Sequence, residues 1–350
     1  MLDTSSQQST AKNRPVTPER AVAIDAVPVF RAEAFPNSGP VPWLDRPDAH
    51  EAIDRGLAEG WLDAHTASYA RSWTDHGYFI IEKAFDDSML DRTWAAYERA
   101  AASGTTPLNA EPHGENDPHP GRFLNPHFHI REVDEMLRHE KMADLVSTLV
   151  GAKAIPFQTI TSHKGSQQLP HSDSIHMTSY PLGYLAANWI AFEDIDSESG
   201  PLVYYPGSHR LPYTFSQNVG ITAQTFAERG FKEYHEKYEP RIAQLIAEAG
   251  IEPHYFHAKK GDTLFWHANL VHGGSPRRNL TPSRKALVCH YFFEGCISYH
   301  DLTSSWSHLH EPGFITRHYE TIAEHNDQLD LAPRKPSEKK SFLRALLGRR

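Results

Sequence analysis

Cysteine is scarce in this sequence: Cys289 and Cys296 are the only two in 350 residues, too few for the spaced set that staples a small secreted fold. Both read as reduced structural thiols, and the cytoplasm is the expected compartment. Long apolar runs are also missing. Nothing approaches the ~18 residues of a membrane span, and the opening MLDTSSQQSTAKNRP lacks the apolar core of a secretory signal. Stable membrane insertion is therefore not expected. Positive charge is short as well: 35 Lys and Arg face 44 Asp and Glu, a net charge of -9. That balance argues against the broad basic face that contact with nucleic-acid phosphates requires, so nucleic acid is not an expected partner.

What the chain does have is histidine, 23 residues of it, together with 25 prolines and an aromatic fraction of 11%. The prolines imply long polar loops or tails, and the histidines hint at metal chemistry without locating it. Residues 1–45 mix Ser, Gln, Pro and charge without periodicity and read as a disordered or loosely packed leader. A single domain is expected over 46–310, followed by an irregular tail over 311–350 that ends in a short basic amphipathic stretch.

Within the domain, LDAHTASYARSWTD (62–75) has helical spacing of Leu62, Tyr69, Ala70 and Trp73, and Gly77 stops it before the strand-like YFIIE. A second helix starts at Asp86 or Asp87, with Leu90, Trp94, Ala95 and Tyr97 on its apolar face. The segment 104–130 reads as a loop. REVDEMLRH and KMADLVSTLVG then read as two short helices, the latter ending at Gly151. Beyond Gly151 the texture becomes short β-branched and aromatic runs: AIPFQTITSH, YLAANWIAFE, PLVYYP, DTLFWHANLVH and RKALVCHYFFE. These predict a β-sandwich or barrel, interrupted over 218–250 by a helical insertion with Ile242, Leu245 and Ile246 on one face.

Three triplets match the pattern of a histidine two positions before a carboxylate: His113–Glu115, His171–Asp173 and His318–Glu320. On a strand, residues two apart point the same way, so each could offer an imidazole and a carboxylate to one ion, as the two-histidine, one-carboxylate facial triad does for Fe(II). Only His171 lies between strand-like runs, where a rigid scaffold flanks it. A third ligand must come from another strand. GDTLFWHANLVHGG offers His272, beside the Gly273-Gly274 pair where backbone can approach closely, with His267 as the competitor on the opposite strand face. Twelve residues on, Arg284 opens RKALVCHYFFE, and its guanidinium can clamp a carboxylate bidentately.

Taken in order, HSD, WIAFED, GPLVYYPGSH, GD with VHGG, and SRKALVCHYF resemble the phytanoyl-CoA dioxygenase family of Fe(II)- and 2-oxoglutarate-dependent oxygenases. The resemblance covers roughly residues 60–300, including HGYFII and NPHFHIREVDEMLRH. It implies a mainly β fold, a double-stranded β-helix of the jelly-roll, cupin-like kind with flanking helices. It implies His171, Asp173 and His272 as catalytic iron ligands, Arg284 on the distal carboxylate of 2-oxoglutarate, and Trp189 lining the cosubstrate pocket. Lys164 resembles a lysine often found upstream of the ligand pair. Two departures stand out. Ser172 occupies the place where the family commonly has Gln, and either Gly274 or Ser275 takes the place of a family serine.

Such a site binds Fe(II), 2-oxoglutarate and O2, and releases succinate and CO2. Hydroxylation of a small or carrier-linked molecule is the expected outcome, with desaturation, epoxidation or cyclisation as alternatives. A non-catalytic cupin-like metal-binding or sensing protein is the alternative of another class, and Arg284 argues against it, since a structural barrel needs no cosubstrate clamp. Halogenation is not expected, because Asp173 is present. Phe157, His176 and Tyr204 are the candidate substrate contacts. His209 reads as a turn residue, His267 and His290 as core or near-site residues, and His113, His119, His127 and His129 as solvated or lid residues.

Overall fold

The structure, a computed structural model, describes residues 41–103, 109–111, 122–294, 296–302, 305–307 and 316–318. Most of the expected leader, the triplet at 113–115, part of that at 318–320, His119 and the basic C-terminal stretch lie outside them. Among the described residues no helix is long and apolar enough to cross a membrane.

Among the described residues the strands run in chain order as β1 (Tyr78–Ile81), β2 (Asn109–Glu111), β3 (Arg122–Leu124), β4 (Ala154–Ser162), β5 (Thr178–Tyr180), β6 (Leu185–Ala191), β7 (Leu202–Tyr204), β8 (His254–Phe256), β9 (Thr263–His267), β10 (His272–Gly274), β11 (Ala286–Phe293), β12 (Ile297–Tyr299), β13 (Ser305–Ser307) and β14 (Thr316–His318). Seven form one antiparallel sheet in the order β1-β9-β6-β11-β4-β3-β2. Facing it is a three-stranded sheet, β10-β7-β8. Together they make the double-stranded β-helix that the resemblance implied. The nominal loop at 104–130 contributes β2 and β3 to the large sheet. His127, expected at the surface, is buried with Nδ1 2.6 Å from Thr159 Oγ1, whereas His129 is exposed.

Both faces of the large sheet are covered, which is why its strands read as unbroken apolar runs rather than alternating ones. On β11, Leu287, Cys289, Tyr291 and Phe293 join the core under the helices. Ala286 and Val288 turn the other way, toward Trp189, Leu202, Tyr204, Leu264 and Trp266 between the two sheets. Cys289 and Cys296 are both free, and burial pushes the Cys296 thiol up to about 11.

The helical layer holds α1 (Ala49–Glu59), which the sequence reading did not mark, α2 (Ala64–His76), α3 (Asp87–Ser103), α4 (Arg131–Leu137) and α5 (Glu140–Val150). Asp63 caps α2 by accepting the Thr66 N–H at 2.7 Å, and Asp86 caps α3 through Met89 N–H at 2.8 Å. Gly77 and Gly151 end α2 and α5 in the left-handed region, at φ 79° and 81°. Ala95, expected on the buried face of α3, is only half-buried, and Thr93 and Ala96 take its place.

The insertion is helical as expected. It comprises α6 (Ala223–Arg229) and α7 (Phe231–Glu233), the latter passing through a π-helical turn, Tyr234–Tyr238, into α8 (Glu239–Ala249). Its apolar face, with Ile242 and Ile246, packs on Ile175 and Val271 beside the ligand segments. The expected single strand over 262–272 is instead two. After β9 the Leu270 N–H turns back to His267 O at 2.8 Å and the Asn269 N–H to His267 Nδ1 at 3.1 Å. The chain thereby crosses from the large sheet to the small one, so the face rule that set His267 against His272 does not apply across this break.

Candidate metal centre

His171 belongs to no strand. It meets β10 in an isolated antiparallel bridge, its N–H donating to His272 O and the His272 N–H donating to His171 O, each at 2.9 Å. Ser172 is extended (φ -99°, ψ 140°), and Asp173 then opens a single 3-10 turn, Asp173–Ile175. That is the correction to a strand reading of HSD: one extended residue is enough to keep the two side chains on one side. Ser172 itself is turned away, its Oγ 3.0 Å from Ala268 O and 3.1 Å from Asn269 Oδ1. From the insertion, the Tyr238 hydroxyl accepts the Ser172 N–H at 3.3 Å.

Asp173 Oδ1 lies 3.9 Å from His171 Nε2 and 3.7 Å from His272 Nε2. The three buried side chains form the one such group among the described residues, with a ligand atom from each within 4.8 Å of the others. Bonds of about 2.0–2.3 Å to a shared ion can span these gaps. The protonation states fit as well. His171 Nδ1 faces Leu169 O at 2.9 Å and His272 Nδ1 faces Leu270 O at 3.1 Å. A carbonyl only accepts, so each Nδ1 carries a proton and each Nε2 is the nitrogen left on the side of the carboxylate. Burial, then the neighbouring His272, holds His171 well below the ordinary imidazole value, with Asp173 opposing. Burial also works against charge on Asp173. His272, His290 and His171 together outweigh it, and the carboxyl lies far below its usual range. Neutral imidazoles and an ionised carboxylate are the forms a metal takes.

Two further contacts fix which carboxylate oxygen faces the ligand histidines, one from His290, expected in the core or near the site, and one from Trp266, which the sequence reading did not single out. Trp266 Nε1–H donates to Asp173 Oδ2 at 2.8 Å, and His290 Nε2 lies 3.7 Å from the same oxygen. Inward alternation on β9 and β11 is the signal that would have found both.

Arg284 is 3% exposed. Nη1 donates to Gly200 O at 3.2 Å and Nη2 to Ser162 Oγ at 3.1 Å, and the guanidinium carbon stands 5.5 Å over the Trp189 ring. A buried, stacked guanidinium suits a carboxylate, and Trp189 is in place to line it. Lys164 is not brought in, since its ammonium donates to Leu280 O at 2.9 Å. Ser275 is buried but commits its hydroxyl to Pro201 O at 2.7 Å.

Of the three substrate candidates, Phe157 is the extra residue of a β-bulge on β4, stacked on Phe292 at 4.2 Å. Tyr204 pairs with His272 on β7 and packs against Tyr78. Both are core aromatics. His176 alone stands half-buried beside the triad, its ring 6.0 Å from His171, 5.1 Å from Tyr234 and 6.2 Å from Phe231 of the insertion. His209 is on a turn, with Nε2 3.2 Å from Thr74 O. His267 pairs with Asp45 at 3.1 Å, away from the three ligands.

The glycine pair after His272 is where backbone meets backbone. A Cβ on Gly273 would lie 2.7 Å from Gln168 O, and one on Gly274 2.7 Å from Gln167 N. We predict that Gly273→Ala costs about 1–3 kcal/mol by overpacking and weakens metal binding, because β10 carries His272. Thermal melting with and without Mn(II) checks this; an unchanged melting temperature would refute it.

Comparison with known proteins accords with this geometry. Phytanoyl-CoA dioxygenase, peroxisomal, of Mus musculus is 23% identical over 250 residues, 66% of this chain and 69% of that one. Ectoine dioxygenase of Bordetella parapertussis is 25% identical over 265 residues, 71% of this chain and 83% of that one. Among solved structures, the non-heme alpha ketoglutarate dependent carbocyclase SnoK from nogalamycin biosynthesis superposes with a TM-score of 0.54 at 17% identity, over 86% of this chain and 97% of that one. EctD from S. alaskensis with 2-oxoglutarate and 5-hydroxyectoine does so with 0.52 at 16%, over 66% and 76%. These two show a shared fold. Residues 73–286 match the family model described as phytanoyl-CoA dioxygenase (PhyH), and the chain belongs to that family.

Proposed function

We propose that this protein, an Fe(II)- and 2-oxoglutarate-dependent oxygenase of its family, hydroxylates a small molecule. His171, Asp173 and His272 hold the iron, and Arg284 with Trp189 receives the far carboxylate of 2-oxoglutarate. The observation that carries the reading is the buried triad with its two Nε2 lone pairs and Asp173 Oδ1 turned inward, on the same scaffold as a buried guanidinium.

Iron with 2-oxoglutarate and O2 supplies the oxidant for a C–H bond, releasing succinate and CO2. The chain supplies the rest. Leu169 O and Leu270 O orient the two imidazoles, while Trp266 pins Asp173 Oδ2 so that Oδ1 is presented. Arg284 offsets a charge that would otherwise be costly in the apolar interior. Ala187, Trp189, Leu264 and Trp266 keep that interior dry. His176 with Phe231 and Tyr234 forms a wall beside His171 against which a substrate can rest.

Ectoine dioxygenase and the phytanoyl-CoA dioxygenases differ in the substrates that their names state, so neither substrate is carried over. The free thiols fit the reducing cytoplasm expected from the sequence. The test is a mass-spectrometric screen of cell extract for a 16-dalton gain, with succinate as the counter-check. A product lacking the added oxygen, with succinate formed, would replace hydroxylation by another outcome of the same cofactors; no succinate with any extract would sink the reading.

A further inference from the structure

Gln168 lies three residues before His171, and its side-chain Nε2 is 3.2 Å from His171 Nε2. Since His171 Nδ1 carries the ring proton toward Leu169 O, Nε2 offers only a lone pair, and the amide N–H must be the donor. That lone pair is also the one a metal needs, so the amide and an ion compete for it. An ion wins by displacing the side chain. The backbone of Gln168 does not follow, because its carbonyl accepts the Gly274 N–H at 2.8 Å and packs where a Cβ on Gly273 would stand. Gln167 before it is held at φ 52°, a further constraint on the segment.

A displaced amide on a fixed backbone stays next to the metal, within one rotamer change. It also stays on the side leading to Arg284. The segment 165–168 runs that way: a Cβ on Gly165 would lie 2.7 Å from Ser199 O and 3.0 Å from Gly200 O, and Gly200 O is the carbonyl that accepts from Arg284 Nη1. Ser172, the polar residue between the two ligands, cannot share the task, because its hydroxyl faces Ala268 and Asn269.

We propose that Gln168 is a cosubstrate-binding residue that works by exchange: its amide donates to His171 Nε2 until iron takes that lone pair, then to the metal-proximal carboxylate of 2-oxoglutarate. This rests on the function proposed above. It assigns to one side chain two effects of opposite sign, restraint of metal entry and retention of the cosubstrate.

The test uses the full chain under anaerobic conditions, with Mn(II) as the metal probe. Mn(II) affinity is measured first, then 2-oxoglutarate affinity of the Mn(II)-loaded protein, for wild type and Gln168→Leu. Loss of one hydrogen bond on each side predicts Mn(II) held about three- to tenfold more tightly and 2-oxoglutarate held at least about tenfold more weakly. Gln168→Asn, whose amide is one methylene too short, is expected to show the same pair of changes and serves if the leucine variant does not fold. Either affinity staying within about twofold of wild type, or moving in the opposite direction, overturns the assignment. A wild-type chain that binds neither probe overturns the metal-centre reading itself. One that binds both, with variants that match it, overturns the role of Gln168 alone.

Discussion

Asp173→Asn is expected to leave the protein folded and to lower 2-oxoglutarate-dependent succinate formation by at least about a thousandfold, roughly 4 kcal/mol in the barrier. The amide is the same shape as the carboxylate, and its oxygen can still accept from Trp266 Nε1 at the Oδ2 position, 2.8 Å away. What disappears is the one negative charge facing His171 and His272. The wild-type carboxylate is ionised against the cost of burial, kept so by His272, His290 and His171. A carboxyl held below its unfolded value contributes stability at neutral pH, so the metal-free variant should melt somewhat below wild type. The contrast appears on adding metal. At a hundredfold excess over its dissociation constant Mn(II) should stabilise wild type by about 2.7 kcal/mol, a rise in melting temperature of several degrees. The variant should show none. Retained succinate formation in Asp173→Asn would remove Asp173 from the ligand set.

Arg284→Ala is expected to separate cosubstrate binding from metal binding. The guanidinium sits against Gly200 O, Ser162 Oγ and the face of Trp189. Truncating one member of a buried charge pair costs about 2–5 kcal/mol. The KM for 2-oxoglutarate should therefore rise at least about thirtyfold, while Mn(II) affinity stays within about threefold of wild type. Arg284→Lys should recover only part of the loss, because an ammonium cannot present two parallel N–H groups or stack as a plane. A 2-oxoglutarate KM unchanged in Arg284→Ala would show that the carboxylate binds elsewhere.

The sequence made the three candidate ligands and Arg284 legible because each depended on a local rule: two residues flanking one extended position, a histidine before paired glycines, and an arginine at the head of an apolar strand. The long runs at 154–163, 184–193 and 285–294 were also legible, since strands covered on both faces leave little but apolar and aromatic residues. What stayed hidden depended on distant partners. Trp266 reads as one more core aromatic until the crossing after β9 brings it onto Asp173 Oδ2. His290 was read as a core or near-site residue, but the oxygen it faces follows only from its register opposite Ala187 and Gln158. The partner of Lys164 was hidden too, since the chain after Arg277 returns the Leu280 carbonyl to meet its ammonium. His127 was misjudged because a Pro-, Gly- and Asn-rich stretch looks like open loop even when part of it is a sheet edge. Helix α1 escaped because its four buried residues, Ala49, Ala52, Ile53 and Gly56, are mostly too small to mark a face.

The reciprocal backbone bridge between His171 and His272 has a consequence for how such a molecule can diversify. Everything from residue 172 to 271 departs from one point in space and comes back to it, like a detour whose two ends are clasped. Much of that detour is barrel and carries Asp173, Trp189 and Trp266, so only a part outside the sheets can be lengthened, shortened or rebuilt without moving the clasp. The helical stretch from Ser216 to Ala249 belongs to that detour, and it is this stretch that supplies Phe231 and Tyr234 to the wall at His176. Exchanging residues 216–249 alone, with Asp173, Trp189 and Trp266 left in place, is thus a route to new guests with the same iron.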